Sequence, residues 1–222
     1  MSSYRGRTFV FVTMVFVVAL GVVALAAAIG DTTPPVTTDD YDGRWHSTDV
    51  NVMLRATDQA SGVAGTYYSW NAPDYVSGAV ATLVARRDHT NDGVHTLTYY
   101  SEDAVGNREK PKSRVVKIDT RAPVTRVSGQ DALRHRTPVV LTFSAVDRGG
   151  AGIDVTQYRI DEKAWKNGTS ATVRAPKDHS WDGRHTVRFR SRDTAGNVEP
   201  AKKVIVRIDT RRASAVATPV AS

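Results

Sequence analysis

The chain has 222 residues, 41% of them hydrophobic and 24% charged, and no cysteine. At roughly 100 to 200 residues per domain this is one or two folded units, too apolar for wholesale disorder, and the missing cysteine excludes disulfide staples, a thiol nucleophile, thiolate zinc sites and a lipid-modified cysteine. The net charge of +7 is unevenly placed, since residues 31–119 carry 9 basic and 13 acidic side chains while residues 120–209 carry 17 and 10.

From Thr8 to Gly30 no residue is charged, and the run is rich in Val, Ala and Phe. As a helix those residues would reach roughly 34 Å, enough for a hydrocarbon core of about 30 Å. Arg5 and Arg7 precede the run. The positive-inside tendency therefore keeps residues 1–7 in the cytoplasm and sends everything after Gly30 across. The small residues Ala24 to Ala28 leave a cleaved signal peptide as the alternative to an uncleaved anchor over 8–30.

The remainder is organised by an internal repeat. Asp31-Thr32-Thr33-Pro34-Pro35 returns as Asp119-Thr120-Arg121-Ala122-Pro123, and partially as Asp209-Thr210-Arg211. Asp88-His89-x-x-Asp92-Gly93-x-His95-Thr96 returns as Asp178-His179-x-x-Asp182-Gly183-x-His185-Thr186. Ser101, Asp103, Gly106, Asn107 and Glu109 return as Ser191, Asp193, Gly196, Asn197 and Glu199. Two homologous domains, 31–119 and 120–210, follow, with a short tail over 211–222.

Within each copy the apolar period is two. Val50, Val52, Leu54 and Ala56 alternate with polar neighbours, as do Val139, Leu141, Phe143 and Ala145. A second strand carries Tyr68 and Trp70, or Tyr158 and Ile160. A third turns His95, Leu97, Tyr99 and Ser101 inward, or His185, Val187, Phe189 and Ser191, and a polar face outward: Thr96, Thr98, Tyr100 and Glu102, or Thr186, Arg188, Arg190 and Arg192. The last carries Val116 and Ile118, or Val204, Val206 and Ile208. Asn167-Gly168 reads as a type I′ hairpin turn, whereas the first copy has Asn71-Ala72-Pro73-Asp74-Tyr75 in this region. Nothing after Gly30 sustains a helical period. About seven short strands per copy, with turns every 8 to 12 residues, predict an all-β protein of two tandem immunoglobulin-like or fibronectin-III-like sandwiches after one N-terminal helix.

The run Tyr158-Arg159-Ile160-Asp161, Asp182-Gly183-x-His185-Thr186, Ser191-x-Asp193-x-Ala195-Gly196-Asn197-x-Glu199 and Ile208-Asp209-Thr210 resembles the bacterial Ig-like repeat found in tandem on secreted and surface proteins. The resemblance covers residues 31–210. It implies a spacer, an adhesive module or an accessory domain beside an enzyme.

Ligand-type side chains cluster at Asp88, His89 and Asp92 and again at Asp178, His179 and Asp182, a set able to hold a divalent metal. The competing reading is structural: Asp-Gly is a turn signal, and His95 and His185 stand where Ig-like folds use a tyrosine to bond back to the backbone at a corner. Asp58, Asp103 and Asp147 are set for calcium or for turn capping, and the capping reading is preferred, so no cofactor is expected. No G-x-S-x-G elbow, H-E-x-x-H pair or phosphate-cradling glycine loop occurs, and a non-enzyme is expected. Tyr41, Trp45, Tyr75 and Trp181 are aromatic candidates for stacking on sugar rings, and Arg188, Arg190 and Arg192 form a stripe at two-residue spacing on which an anionic chain could lie. The chain thus reads as a single-pass membrane protein displaying a structural or adhesive module outside the cell membrane. A carbohydrate- or wall-polymer-binding accessory protein is the alternative. The expected partners are the membrane itself and an anionic wall polymer, glycan or surface protein; nucleic acid is excluded by the placement.

Overall fold

The computed structural model describes residues 30–211. The predicted membrane segment at 8–30, apart from Gly30, and the tail after Arg211 lie outside the described residues. Among the described residues every regular element is a strand, and no helix is long and apolar enough to cross a membrane.

The first sandwich comprises β1 (Val36–Asp39), β2 (Trp45–His46), β3 (Val50–Thr57), β4 (Val63–Trp70), β5 (Val76–Ser77), β6 (Val80–Leu83), β7 (Gly93–Asp103) and β8 (Lys112–Ile118). The second repeats it with β9 (Val124–Ser128), β10 (Arg134–His135), β11 (Val139–Val146), β12 (Ile153–Ile160), β13 (Lys166–Asn167), β14 (Ser170–Val173), β15 (Gly183–Asp193) and β16 (Lys202–Ile208). Each has a three-stranded sheet, β1-β3-β6 or β14-β11-β9, and a five-stranded one, β2-β8-β7-β4-β5 or β10-β16-β15-β12-β13. This order, with the second short strand parallel to the last in the second copy (Arg134↔Arg207), is that of an immunoglobulin- or fibronectin-III-like sandwich. By contacts the described residues form two compact units, 30–44 with 50–83 and 94–117, and 45–49 with 84–93 and 118–211.

The alternation found in the sequence is the alternation of burial. Val50, Val52 and Leu54 are inside while Asn51, Met53 and Arg55 face out, and β11 repeats the pattern. The second core gathers Val139, Leu141, Phe143, Val173, Val187, Phe189, Val206 and Ile208, with Phe143 stacked between Tyr158 and Phe189 at centroid distances of 5.7 and 5.1 Å. Both copies carry a β-bulge at the same place, Val63/Gly65 and Ile153/Val155.

Two local expectations are corrected. Asn167-Gly168 does not make the hairpin turn: Asn167 pairs with Gln157 in β13, and the chain reverses before it, near Asp161, which adopts φ 54°. Gly168 is needed for close approach, because a Cβ there would stand 3.3 Å from the Tyr158 ring. The first copy keeps the same hairpin register through Asn71–Tyr75 (Tyr67↔Ser77, Tyr68↔Val76). Tyr100, assigned to a polar outer face, is only 7% exposed, because it stacks on Tyr67 at 5.2 Å, meets Tyr75 edge-on and lies under the Arg108 guanidinium.

A polar network joins the two sheets of each sandwich. The buried Glu109 carboxylate accepts from the amide of Thr37 in β1 (3.1 Å), the Thr37 hydroxyl and the amide of Ser101 in β7 (2.9 Å), and pairs with Lys112 Nζ at 2.8 Å. The Ser101 hydroxyl bonds those of Thr37 and Thr66 at 2.7 and 2.9 Å. Glu199, Thr125, Ser191, Lys202 and Thr156 reproduce the arrangement in the second copy. Burial pushes the Glu109 carboxyl up, but Lys112 and Thr37 outweigh it and hold it below the ordinary value.

Leu141→Ala or Phe189→Ala should destabilise the second sandwich by about 2 to 5 kcal/mol, because each vacates a packed interior position. Glu199→Ala, which leaves the buried Thr125 and Ser191 amides without their acceptor, should cost about 2 kcal/mol or more. Denaturant melts of the three variants against the parent check both figures, and a neutral Leu141→Ala together with a neutral Phe189→Ala would overturn the register.

Candidate functional site

The paired D-H-x-x-D-G-x-H loops resolve into clasps. Asp88 Oδ1 accepts from the amide and hydroxyl of Thr90 (3.1 and 2.8 Å), and Asp178 does the same with Ser180. His89 and His179 adopt a left-handed backbone, φ 62° in both, and carry Nδ1 to the hydroxyls of Thr120 (2.7 Å) and Thr210 (2.5 Å). Asp92 Oδ1 accepts the amide and hydroxyl of Thr120, and Asp182 Oδ1 those of Thr210. The hydroxyl proton is directed to the aspartate, so the histidine Nδ1 donates. Each loop therefore grips the threonine of an Ile-Asp-Thr motif that follows the last strand.

The corner histidines differ between copies. His185, buried at the start of β15, directs Nε2 to the Trp181 carbonyl at 2.9 Å, the backbone tie expected of a corner residue, and Nδ1 to Asp161 Oδ2 at 3.0 Å. Burial pushes Asp161 up, but the His185 ring and the Thr186 amide together hold its carboxyl below the ordinary value. In the first copy Asn71 takes the place of Asp161. It donates its amide to His95 Nδ1 at 2.9 Å and accepts the Thr96 amide at 2.8 Å.

Among the described residues, groups of three acidic side chains at ligand spacing occur elsewhere: Asp31, Asp58 and Asp103, and at the matching positions Asp119, Asp147 and Asp193, with carboxylate oxygens within 4.8 Å of one another. Such a triad has the donor chemistry for a hard cation such as calcium. The same oxygens cap turns: Asp58 Oδ1 accepts the amides of Ala60 and Gly62, Asp103 Oδ1 those of Val105 and Asn107, and Asp147 those of Gly149 and Gly152. Asn107 and Asn197 tie the clusters together by donating to the carbonyls of Asp31 and Asp119. Sequence reasoning named Asp58, Asp103 and Asp147 but not Asp31, Asp119 or Asp193 as their companions. The signal was the recurrence of all three at the repeat spacing.

The two triads are electrostatically unlike. Asp31 accepts hydroxyls as well as amides from Thr33 and Ser61, and these hold its carboxyl far below the ordinary range. Asp119 has only the amides of Arg121 and Ala151, and burial, with the charges of Asp147 and Asp193 behind it, raises its carboxyl. A Cβ on Gly149 would collide with that carboxylate, so the glycine is what admits it.

The arginine stripe on β15 is engaged on its own sheet. Arg188 reaches Glu162 at 3.8 Å, Arg190 donates to Gln157 and stands 4.5 Å from the Trp165 ring, and Arg192 holds Asp154 through two nitrogens at 2.9 and 2.6 Å. Trp165 is also met by Arg159 at 5.1 Å. Of the aromatic candidates, Trp45 is half-buried in β2, Tyr75 packs against Tyr100, and Tyr41 donates to the Arg44 carbonyl and accepts the Lys117 amide. Trp181 stacks on His185 at 4.8 Å, and the Lys163 ammonium lies 4.6 Å from the same ring. Asp39 ends β1 and binds Arg114 and the hydroxyl of Tyr99, whose pKa burial and that carboxylate push up to about 12.

The fold class rests on the chain's own strand order. No family model and no curated protein matches the chain. Among solved structures it is similar to the fibronectin(III)-like modules of Clostridium thermocellum CbhA (12% identity, 78% of this chain and 94% of that chain, TM-score 0.41). It is also similar to the D00-D0 domain of intimin (11%, 78% and 98%, 0.38) and to three N-terminal domains of the outer capsid protein Hoc of bacteriophage RB49 (11%, 80% and 70%, 0.42).

The triads generate a prediction with opposite signs in the two copies. The folded pKa of Asp119 is raised, so the folded state holds its proton above the unfolded value of about 3.9 and its charge costs stability as pH climbs. The pKa of Asp31 is lowered, so its contribution is present above that value and lost on acidification. From about pH 4 to about pH 7 the melting difference of Asp119→Asn minus parent should become more favourable, whereas that of Asp31→Asn should become less favourable from about pH 2 to about pH 4 and stay level above it. Parallel trends for the two variants would refute the assignment.

Proposed function

We propose that the chain is a non-catalytic structural or adhesive module, two tandem Ig-like sandwiches of the bacterial repeat type held outside the cell membrane by residues 8–30. One observation carries this reading. The carboxylate and the hydroxyls buried between the sheets are used the same way in both copies, Glu109 with Thr37 and Ser101 as Glu199 with Thr125 and Ser191, holding strands to strands. What the copies do not share is their surface. Duplication of the scaffold with divergence of the exterior suits a displayed module more than a catalyst, which needs its buried polar groups for chemistry. The tight clasp of Thr120 by Asp92 and His89 suits a spacer that leaves little slack after the last strand of the first repeat.

The second reading, an accessory protein that binds a carbohydrate or wall polymer, is favoured by the basic surplus of residues 120–209. Protease shaving of intact cells separates display from an interior location. Both repeats should be removed while the cytoplasm stays intact, and their protection would reject the proposal. A mature N-terminus near Ala27 would identify a cleaved signal in place of an anchor.

A further inference from the structure

On β15 Arg188 and Arg192 are ion-paired and Arg190 is held by Gln157 and Trp165, but there is unpaired positive charge at the side of the same sandwich. It borders a groove of about 420 Å³ at the side of the second sandwich, where the end of β12 and the edge strand β13 of one sheet face the edge strand β14 of the other. That volume is within the range of about 300 to 1,000 Å³ of ordinary ligand clefts. Arg159, Lys163, Lys166 and Arg174 line it, and of these Arg159 is already paired with Glu162 at 3.3 Å. Lys163, Lys166 and Arg174 are all exposed. Among the described residues Lys166 and Arg174 make no ion pair, and Lys163 only rests beside Trp181. Tyr158, Ile160 and Ala164 contribute apolar surface, and Ser170 and Thr172 put hydroxyls on its rim.

The first repeat is an internal control. It has the same hairpin register, yet the residues ninety positions earlier are Ser69, Pro73, Val76 and Val84, none of them charged. Four cations have therefore collected at one groove on a backbone whose twin carries none. Packing does not require them, since the uncharged copy builds the same sheets.

We propose that this groove binds a segment of an acidic polysaccharide, its acid groups met by Lys163, Lys166 and Arg174, its ring hydroxyls by Ser170 and Thr172, and its C–H surface by Tyr158 and Ile160. A nucleic-acid strand is disfavoured because base stacking needs an open aromatic face, and both tryptophans here are in use, Trp181 on His185 and Lys163, Trp165 on Arg159 and Arg190. The inference rests on the reading of the chain as a module that acts by binding, and it names the ligand class and the face.

The test uses the full chain in mild detergent, with immobilised polygalacturonate and heparin as acidic glycans, dextran as a neutral one, and polyphosphate and single-stranded DNA as anions without acidic sugars. The acidic glycans should retain the protein at low salt and lose roughly tenfold or more in affinity as screening increases. Lys163→Gln, Lys166→Val and Arg174→Val together, the last two taken from the first repeat, should abolish retention without moving the melt. Arg188→Ser, Arg190→Ser and Arg192→Ser together should leave it within about twofold of the parent, because paired guanidiniums contribute little. Installing Val76→Lys and Val84→Arg in the first repeat should add binding, a gain that unfolding cannot mimic.

Equal retention of groove variant and parent would overturn the proposal, as would equal binding of dextran or groove-dependent binding of polyphosphate or DNA tighter than that of either glycan. Failure of every glycan to bind protein that shaving has found displayed would remove the groove and leave the module reading intact. Cleavage of a retained glycan would remove the module reading instead.

Discussion

In each sandwich a buried glutamate carboxylate joins the two sheets. Glu109 and Glu199 leave the five-stranded sheet and end on the first strand of the other, each taking its amide and hydroxyl, with a half-exposed lysine to balance the charge. A charge at 6% or 4% exposure is tolerable only when its oxygens are all engaged. Here that demand fixes where β1 and β9 lie and in which register, since Thr37 and Thr125 must face inward to meet it. In a chain without cysteine, this network occupies the place that a cross-sheet disulfide takes in many sandwiches of this type.

The strands so arranged leave two kinds of position. Inward positions repeat nearly residue for residue, Leu97 as Val187 and Tyr99 as Phe189, because they answer to packing. Outward positions are constrained only by solvent and have drifted far apart. Tyr67, Tyr75 and Tyr100 form an aromatic cluster on the outer sheet of the first copy, where the second has Gln157, Trp165 and Arg190. One exchange, Asn71 for Asp161, turns an amide–imidazole bond into a carboxylate–imidazole bond at the corner. Binding differences between the copies belong on these outer faces and edges, where side chains change without disturbing the scaffold.

The acidic triads show how close a local rule can come to a site. Each aspartate caps a turn within a few residues of itself, a use readable for Asp58 and Asp103 from Asp-x-x-x-Gly and Asp-x-x-Gly-Asn alone. That three such caps meet at one end of each sandwich is not local, since the contributing turns lie between different strands. Burial, with the charges of the converging Asp147 and Asp193 behind it, raises Asp119, which lacks the hydroxyls that relieve Asp31.

Sequence by itself was enough for the repeat, the all-β class, the inward faces of β3, β7, β11 and β15, and the backbone tie of His185, because each depends on periodicity, on recurrence or on a contact within four residues. Tertiary structure alone decided the rest. It assigned Glu109 and Glu199 to strands 72 and 74 residues away, brought the aspartates together, buried Tyr100 under its neighbours and paired Arg188, Arg190 and Arg192 with Glu162, Gln157 and Asp154. It also turned Asn167-Gly168 from a turn into strand and close packing, and left the charge of Lys163, Lys166 and Arg174 around a groove. The reason is the same in each case. A side chain's direction follows from the backbone period, but its partner is whatever the sheet order sets opposite it, and that order is fixed by pairings between distant segments of the chain.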